Sequence, residues 1–140
     1  MTDYQTVETR MLARAREDVL AQAEWLTVAE IAGRARIPLA EAASMTSQWQ
    51  RECLIFAIDQ GGEMLLPGYG LDPDGGYHPL HVLRDVLATF AGSKDGWHLA
   101  YWFASLNGSL GGKRPQDVLA VAPDRVLDAA QREVNGVLHG

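Results

Sequence analysis

Apolar positions in the first third of the chain recur at the spacing of amphipathic helices. A first helix is predicted over roughly Thr9 to Trp25, because an apolar face recurs at Leu12, Ala15, Val19, Ala23 and Leu26. Thr27 and Glu30 then form a capping box, in which each side chain can bind the backbone amide of the other residue. Leu26 and Ile31 occupy the flanking positions of a hydrophobic staple. This pattern predicts a short helix from about Val28 to Arg34.

A third helix and a β-hairpin follow. Pro38 suits the first turn of a helix that extends to Cys53, with an apolar face at Leu39, Ala42, Thr46, Trp49 and Cys53. The segments 54–58 and 63–66 have strand character and flank Gly61-Gly62, which predicts a hairpin. Two short helices joined by a tight turn and followed by a hairpin are typical of a winged helix-turn-helix. The glycine- and proline-rich stretch 67–79 is predicted to be a loop or linker.

The second half of the chain returns to helical periodicity. Helices are predicted over Leu83 to Phe90, over Leu99 to Leu110 with Asn107-Gly108 as a left-handed stop, over Pro115 to Leu119, and from Pro123 to Leu138. The predicted fold class is therefore mainly α with one small β-hairpin. We expect a winged helix-turn-helix-like part over residues 1–72 and a helical domain over residues 73–140.

Composition is that of an ordinary folded protein, and 140 residues suffice for one compact domain or two small ones that share a core. The net charge of −6 opposes indiscriminate attraction to nucleic acid. The charge is uneven, however: residues 10–51 have six arginines against five acids, whereas residues 52–140 have six bases against eleven acids. Any DNA contact should therefore use the N-terminal third.

No apolar run approaches the ~20 residues needed to span a bilayer, and the first residues lack a signal-peptide core, so a cytoplasmic location without a membrane partner is expected. Cys53 has no partner cysteine and is predicted to be a small buried hydrophobe. His78 and His81 lack nearby cysteines or clustered carboxylates, so no metal site is expected. His98 is expected to be partly buried or at an interface. No nucleophile elbow or phosphate loop occurs. We therefore expect no catalytic residues and no cofactor.

One segment resembles a known family. The segment from Gly96 to Leu119 has, in order, a helix with two tryptophans, an Asn, a Leu-Gly-Gly, two spacer residues, a proline and a short apolar helix. The residues that form this pattern are Trp97, Trp102, Asn107, Leu110, Gly111, Gly112, Pro115 and Leu119. This order and spacing resemble the toxin-binding domain of the Xre/MbcA/ParS antitoxins. Leu106 departs from the family, which often has a proline there. The glycines and Pro115 are also expected, on physical grounds, to form a rigid corner between helices.

The resemblance implies a partner. Antitoxins of this family pair with a toxin, often of the RES type that consumes NAD, and cover its active site with the C-terminal helix and tail. On this sequence that segment is Asp124 to Gly140, with contact candidates Arg125, Arg132, Val134, Asn135, Leu138 and His139. The alternative for Arg125 and Arg132 is a solvated helix face without specific contacts.

The residues of the predicted third helix suggest DNA recognition. Its free face has Ser44, Ser47, Gln48 and Arg51, and glutamine can pair with adenine and arginine with guanine through two hydrogen bonds. Arg34 and Arg36 near the turn could hold phosphates. Alternatively, this face meets water or a second subunit. A homodimer is expected, because two weakly binding halves on a two-fold operator add their binding energies.

Three hypotheses remain from the sequence. The first is an antitoxin-like protein that binds and neutralises a cognate toxin and regulates its own operon through DNA. The second is a stand-alone winged-helix regulator without a toxin. The third is an orphan dimerisation or scaffold module.

Overall fold

The structure is a computed structural model that describes the backbone of residues 3–139 and the side chains of residues 6–136. As the sequence predicts, the fold is mainly helical with a small antiparallel sheet. The elements are α1 (Asp3–Ala21), β1 (Trp25–Leu26), α2 (Val28–Ala35), α3 (Leu39–Arg51), β2 (Ile58–Gln60), β3 (Glu63–Pro67), β4 (Leu71–Asp72), β5 (His78–Pro79), α4 (His81–Phe90), α5 (Gly96–Ala104), α6 (Pro115–Val118) and α7 (Pro123–His139). Within the described backbone, no helix is both long and apolar enough to cross a bilayer.

The capping box at the start of α2 is confirmed. The Thr27 hydroxyl accepts the Glu30 amide at 3.1 Å, and the Glu30 carboxylate accepts the Thr27 amide at 3.0 Å. Leu26 and Ile31, the predicted staple residues, are both fully buried. The helix ends at Arg36, which adopts a left-handed φ of 59° and turns the chain into α3.

The first predicted helix is wrong at its C-terminal end. α1 stops at Ala21, and Trp25 and Leu26 form a strand that pairs with Pro67 and Leu66 of β3. The Trp25 indole N–H donates to the Val19 carbonyl at 3.2 Å, and the same carbonyl accepts the Gln22 amide at 3.4 Å at the end of α1. The predicted hairpin therefore belongs to a three-stranded sheet in the order β1-β3-β2.

The segments around the hairpin also differ from prediction. Residues 54–57 are not a strand, and Ile55 and Phe56 are both buried, whereas a strand would alternate its faces. The strand begins at Ile58, and the turn at Gly61-Gly62 is confirmed by two positive φ angles. The predicted loop 67–79 contains a second small sheet, β4 with β5, because Leu71 pairs with Pro79 there.

In the second half, α5 ends at Ala104, so the predicted extension to Leu110 is wrong. Leu106 is 67% exposed instead of part of an apolar helix face. Asn107 is extended at φ −125° and caps a 3-10 turn over Gly108–Leu110. The predicted left-handed helix stop at Asn107-Gly108 is thus also wrong, because the asparagine side chain begins a turn rather than ending a helix.

Three further burial expectations from the first half of the chain are wrong. Cys53 is exposed with a φ of 57°, since it follows the last turn of α3 and leaves the apolar face there. Leu12 and Leu39, expected on core faces, are 47% and 58% exposed. Leu12 lies at the middle of α1 and Leu39 is the first residue of α3.

A single hydrophobic core contains residues from both halves of the chain. At its centre, the rings of Phe56 and Tyr69 from the first half lie 5.7 and 5.3 Å from the ring of Phe103 on α5. The Gln116 side chain of α6 donates to the backbone carbonyl of Gln22 at 2.9 Å. The segment after α1 and the helix α6 are therefore held in one packed unit.

Candidate interaction surfaces

The family-motif residues between α5 and α6 form a tight corner. The Asn107 carboxamide oxygen accepts the Ser109 amide at 2.9 Å, and the Asn107 carbonyl accepts the Gly112 amide at 2.9 Å. Gly111 and Gly112 have φ angles of +67° and +82°, which side chains with a Cβ rarely adopt. The apolar motif residues of the corner, Leu110, Pro115 and Leu119, are buried, whereas Leu106, which is not part of the motif, is exposed. The corner thus shapes the fold and leaves no apolar motif side chain for a partner.

The helix α7 is anchored to α5 through one carboxylate. The indole N–H of Trp102 donates to Glu133 at 3.1 Å, and the Lys94 ammonium lies 2.9 Å from the other Glu133 oxygen. Phe90 packs edge-on against Trp102 with the ring centroids 5.1 Å apart. Trp102 is buried, so its N–H needs this acceptor. These contacts fix the position of the last turns of α7.

The predicted partner contacts lie on the opposite side of α7. Val126, Ala129 and Ala130 are buried against the core, whereas Arg125, Arg132 and Asn135 are exposed. Arg132 forms an ion pair with Asp128 at 2.8 Å in which both side chains are more than half exposed. Val134 is half-buried, and the side chains of Leu138 and His139 lie outside the described residues. The exposed face of α7 therefore has a row of polar and charged groups on a fixed helix.

A cleft lies where the end of α4 meets α7, and its lining includes none of Arg125, Arg132 and Asn135. Its volume is about 250 Å³, and its lining includes Phe90, Val134 and the Lys94–Glu133 pair. Ligand pockets typically span roughly 300 to 1,000 Å³. The cleft therefore suits one large apolar side chain of a protein better than it suits a cofactor. Val134 was predicted from the sequence as a contact, but Phe90 was not.

The predicted DNA-contact residues on α3 share one exposed face. Ser44, Ser47, Gln48 and Arg51 are all exposed, and the opposite face is buried through Ala42, Thr46 and Trp49. The helix α3 packs against α2, and the hairpin β2–β3 follows it in the chain. The geometry thus leaves this face free for contact with a macromolecule.

The two arginines expected to hold phosphates differ in their surroundings. Arg34 donates two hydrogen bonds of 2.8 Å to the two oxygens of Glu24. This pairing raises the pKa of Arg34 and lowers that of the Glu24 carboxyl. A phosphate would have to compete with Glu24 for Arg34. Arg36 is exposed and lies at the turn between α2 and α3.

One acid contacts this face, and two more lie on the hairpin. The Gln48 amide nitrogen lies 3.1 Å from the Glu52 carboxylate, so the side chain best suited to read adenine is already engaged. The hairpin has exposed Asp59 and Glu63 and no basic residue between Ile58 and Pro67. DNA phosphates would therefore meet negative charge at the position of a wing, where DNA-binding proteins usually place bases.

Three histidines, His98, His78 and His81, lie beside a helix cap or a small cleft. His98 is exposed, which contradicts a partly buried position, and its Nδ1 lies 2.8 Å from Asp95. Asp95 also caps α5 by accepting the His98 amide at 2.8 Å, and this bond lowers the pKa of Asp95. The ring of His78 lies 5.3 Å from that of Trp49, beside a small cleft that His81 also lines.

Three residues with contacts at these surfaces were not predicted from the sequence: Lys94, Glu133 and Arg16. The Arg16 guanidinium lies over the ring of Trp97 at 4.6 Å and joins α1 to α5. Glu133 and Trp102 are 31 residues apart, so no local spacing relates them. Glu133 is an acid on a helix with several charged residues, and only the tertiary packing distinguishes it from the others.

No family model, curated protein or solved structure matches this chain. The likeness to the Xre/MbcA/ParS antitoxins therefore stays a prediction from the residues of the corner and its flanking helices.

Proposed function

We propose that this protein is an antitoxin-like protein that binds and neutralises a cognate toxin through α7. The proposal rests on one observation: α7 is anchored along its inner face and presents Arg125, Arg132 and Asn135 on its free face. The resemblance around Asn107 supports the same class of protein and implies a toxin of the RES type.

The anchoring favours a role in binding. A helix that is already ordered loses little conformational entropy when a partner binds, so more of the contact energy becomes affinity. Protein interfaces commonly combine one apolar anchor in a pocket with a polar rim that excludes water. The cleft at Phe90 and Val134 supplies such a pocket, with Lys94 and Glu133 as its charged lining.

Co-expression with the product of the adjacent gene tests the proposal. We expect the two proteins to co-purify and the chain to restore growth that the partner alone inhibits. The variant Arg125→Glu/Arg132→Glu should weaken the complex at least tenfold. Arg84→Glu is the matched control, because the side chains of Arg84 and Arg132 are both 68% exposed and each has an aspartate neighbour. Absence of both complex and rescue would refute the proposal.

A second candidate function, operator binding, is favoured by the exposed polar face of α3. Because Glu52 engages Gln48 and the hairpin has the exposed acids Asp59 and Glu63, we expect weak binding that requires low salt and two copies of the chain. A mobility-shift assay with the promoter of its own operon tests this function. Gln48→Ala/Arg51→Ala should abolish any specific band, whereas Arg84→Ala should preserve it. Lack of a specific band for the unmodified chain at low salt would exclude this candidate.

A further inference from the structure

The small cleft beside Trp49, called the Trp49 cleft below, is lined by two parts of the chain. Trp49 and Leu54 line it from α3 and the residues after that helix. Residues 78–81 and Arg84 line it from β5 and the first turns of α4. Its volume is about 170 Å³. Sites that enclose a drug-sized ligand span roughly 300 to 1,000 Å³, so the Trp49 cleft has room only for a small molecule.

Basic side chains gather at the Trp49 cleft. His78, His81 and Arg84 all have side chains that donate hydrogen bonds, and no acidic residue of the described chain lines the cleft. His81 and Arg84 are three residues apart on α4, so they lie on the same side of that helix. Residues 52–140 contain eleven acids against six bases. The cleft is therefore a local exception within an acidic half of the chain, and its charge favours an anion.

The donors at the cleft have few partners within the protein. Among the residues that the structure describes, the side chains of His78 and His81 form no hydrogen bond or ion pair, and the His78 ring packs on Trp49 at 5.3 Å. Arg84 Nε lies 3.8 Å from the Asp85 carboxylate, which is longer than a hydrogen bond, and both side chains are more than half exposed. The three donors therefore remain available to an acceptor on a ligand.

We propose that the Trp49 cleft binds a small organic anion through its carboxylate or phosphate group. The Arg84 guanidinium has its donors in a planar fork that bonds two oxygens of such a group in parallel. Each histidine adds at least one N–H donor, since a neutral imidazole has one and a protonated imidazole has two. The apolar part of the ligand lies against Trp49, Leu54 and Pro79, where contact removes apolar surface from water.

This site is separate from the two surfaces described above. Trp49 lies on the buried side of α3, and none of the exposed residues of that helix lines the cleft. No residue of α7 lines the cleft either. The backbone of DNA has no apolar group next to its phosphates that would cover the apolar lining, so a small molecule is favoured over an operator phosphate. Anion binding here does not rest on toxin binding, and Arg84 stays outside both macromolecular surfaces.

An NMR titration of the full chain with benzoate and with phenyl phosphate tests the site. Both anions combine a small apolar ring with one oxyanion group, and both should shift the signals of the His78 ring and the Trp49 indole with one saturation curve. Benzamide keeps the ring without the charge, and inorganic phosphate keeps the charge without the ring. We expect each of these two to bind at least tenfold more weakly. The tighter of the two organic anions identifies the preferred oxyanion.

Single substitutions test the donors. Arg84→Gln removes the charge and the planar fork and should weaken binding of both organic anions at least tenfold. His78→Gln should weaken it several-fold. Because His78 also packs on Trp49, His81→Gln serves as a second variant with the same expected loss. Arg10→Gln is the control, since it removes an exposed positive charge on α1 and should bind like the unmodified chain.

Four results would overturn the proposal. They are no binding of either organic anion, undiminished binding by Arg84→Gln, an equal loss in the Arg10→Gln control, and inorganic phosphate or benzamide binding as tightly as the organic anions. Far-UV circular dichroism should show the same helix content in all variants, so that a loss of binding reports on the cleft and not on unfolding.

Discussion

Replacement of Glu133 tests whether one carboxylate anchors α7. Glu133→Ala removes the acceptor of the buried Trp102 N–H and the partner of Lys94. A hydrogen bond to a charged group contributes about 1.5 to 3 kcal/mol, and the lower part of that range applies here because the Glu133 side chain is 36% exposed. The ion pair adds at most about 1 kcal/mol. The better helix propensity of alanine offsets a few tenths of this loss.

We therefore expect Glu133→Ala to lower the free energy of unfolding by about 1.5 to 2.5 kcal/mol. Glu133→Gln keeps an acceptor for Trp102 and loses only the charge, so about 0.5 to 1 kcal/mol is expected. The matched control is Asp128→Ala, which breaks an exposed ion pair on the same helix and should cost about 0.5 kcal/mol or less.

Urea unfolding followed by far-UV circular dichroism gives the three values under one set of conditions. We expect the loss in free energy of unfolding to be largest for Glu133→Ala, smaller for Glu133→Gln and smallest for Asp128→Ala. If Glu133→Ala is no less stable than Asp128→Ala, the contact with Trp102 does not anchor α7. The free face of α7 would then not be held in one position by Glu133, and the argument for an ordered binding surface would fail.

Three further predictions concern helix starts. Thr27→Ala should cost about 1 kcal/mol in urea unfolding, because it removes the capping box of α2. Gly96→Ala should cost about 1 to 3 kcal/mol, since the added Cβ meets the backbone carbonyl of Ala57, whereas Gly108→Ala meets no neighbouring atom and should cost less. Asp95 has a lowered pKa in the folded state, so its stabilising effect is present above its unfolded pKa of about 3.9 and is lost as the pH falls through the folded value. The stability advantage over Asp95→Asn should accordingly shrink in acid, and an advantage that grows as the pH falls would contradict this sign.

Local chemistry explains which elements could be predicted from the sequence. The capping box at Thr27 and the paired glycines at 61 and 62 each specify one backbone geometry through neighbouring residues, and both predictions are confirmed. The apolar spacing of α1 continues through Trp25 and wrongly predicts a helix there. Trp25 lies in a strand because it pairs with β3, some forty residues further along the chain, and the periodicity of a local segment does not indicate such pairing.

At the candidate surfaces too, local spacing predicts which residues are exposed, whereas tertiary packing decides which of them form contacts. The exposed face of α3 follows from helical spacing, and its predicted residues are exposed. On α7, Arg125, Arg132 and Asn135 are exposed, whereas Val134 is half-buried. The long-range contacts near these surfaces were not predictable from the sequence. Glu24 engages Arg34, and Glu133 engages Trp102, across ten and 31 residues. Such pairs depend on how helices cross, and a single sequence has no local signal for that.

The stacking of Phe56 and Tyr69 on Phe103 has a consequence for how the molecule melts. Phe56 and Phe103 come from opposite sides of the glycine-rich segment and Tyr69 from within it, so separating the halves would expose large apolar surfaces on each. We expect a single cooperative unfolding transition instead of two. A ligand that binds anywhere on the folded chain would then raise the same melting temperature. One thermal-shift measurement could therefore screen toxin, operator DNA and other candidates, whichever surface each of them uses.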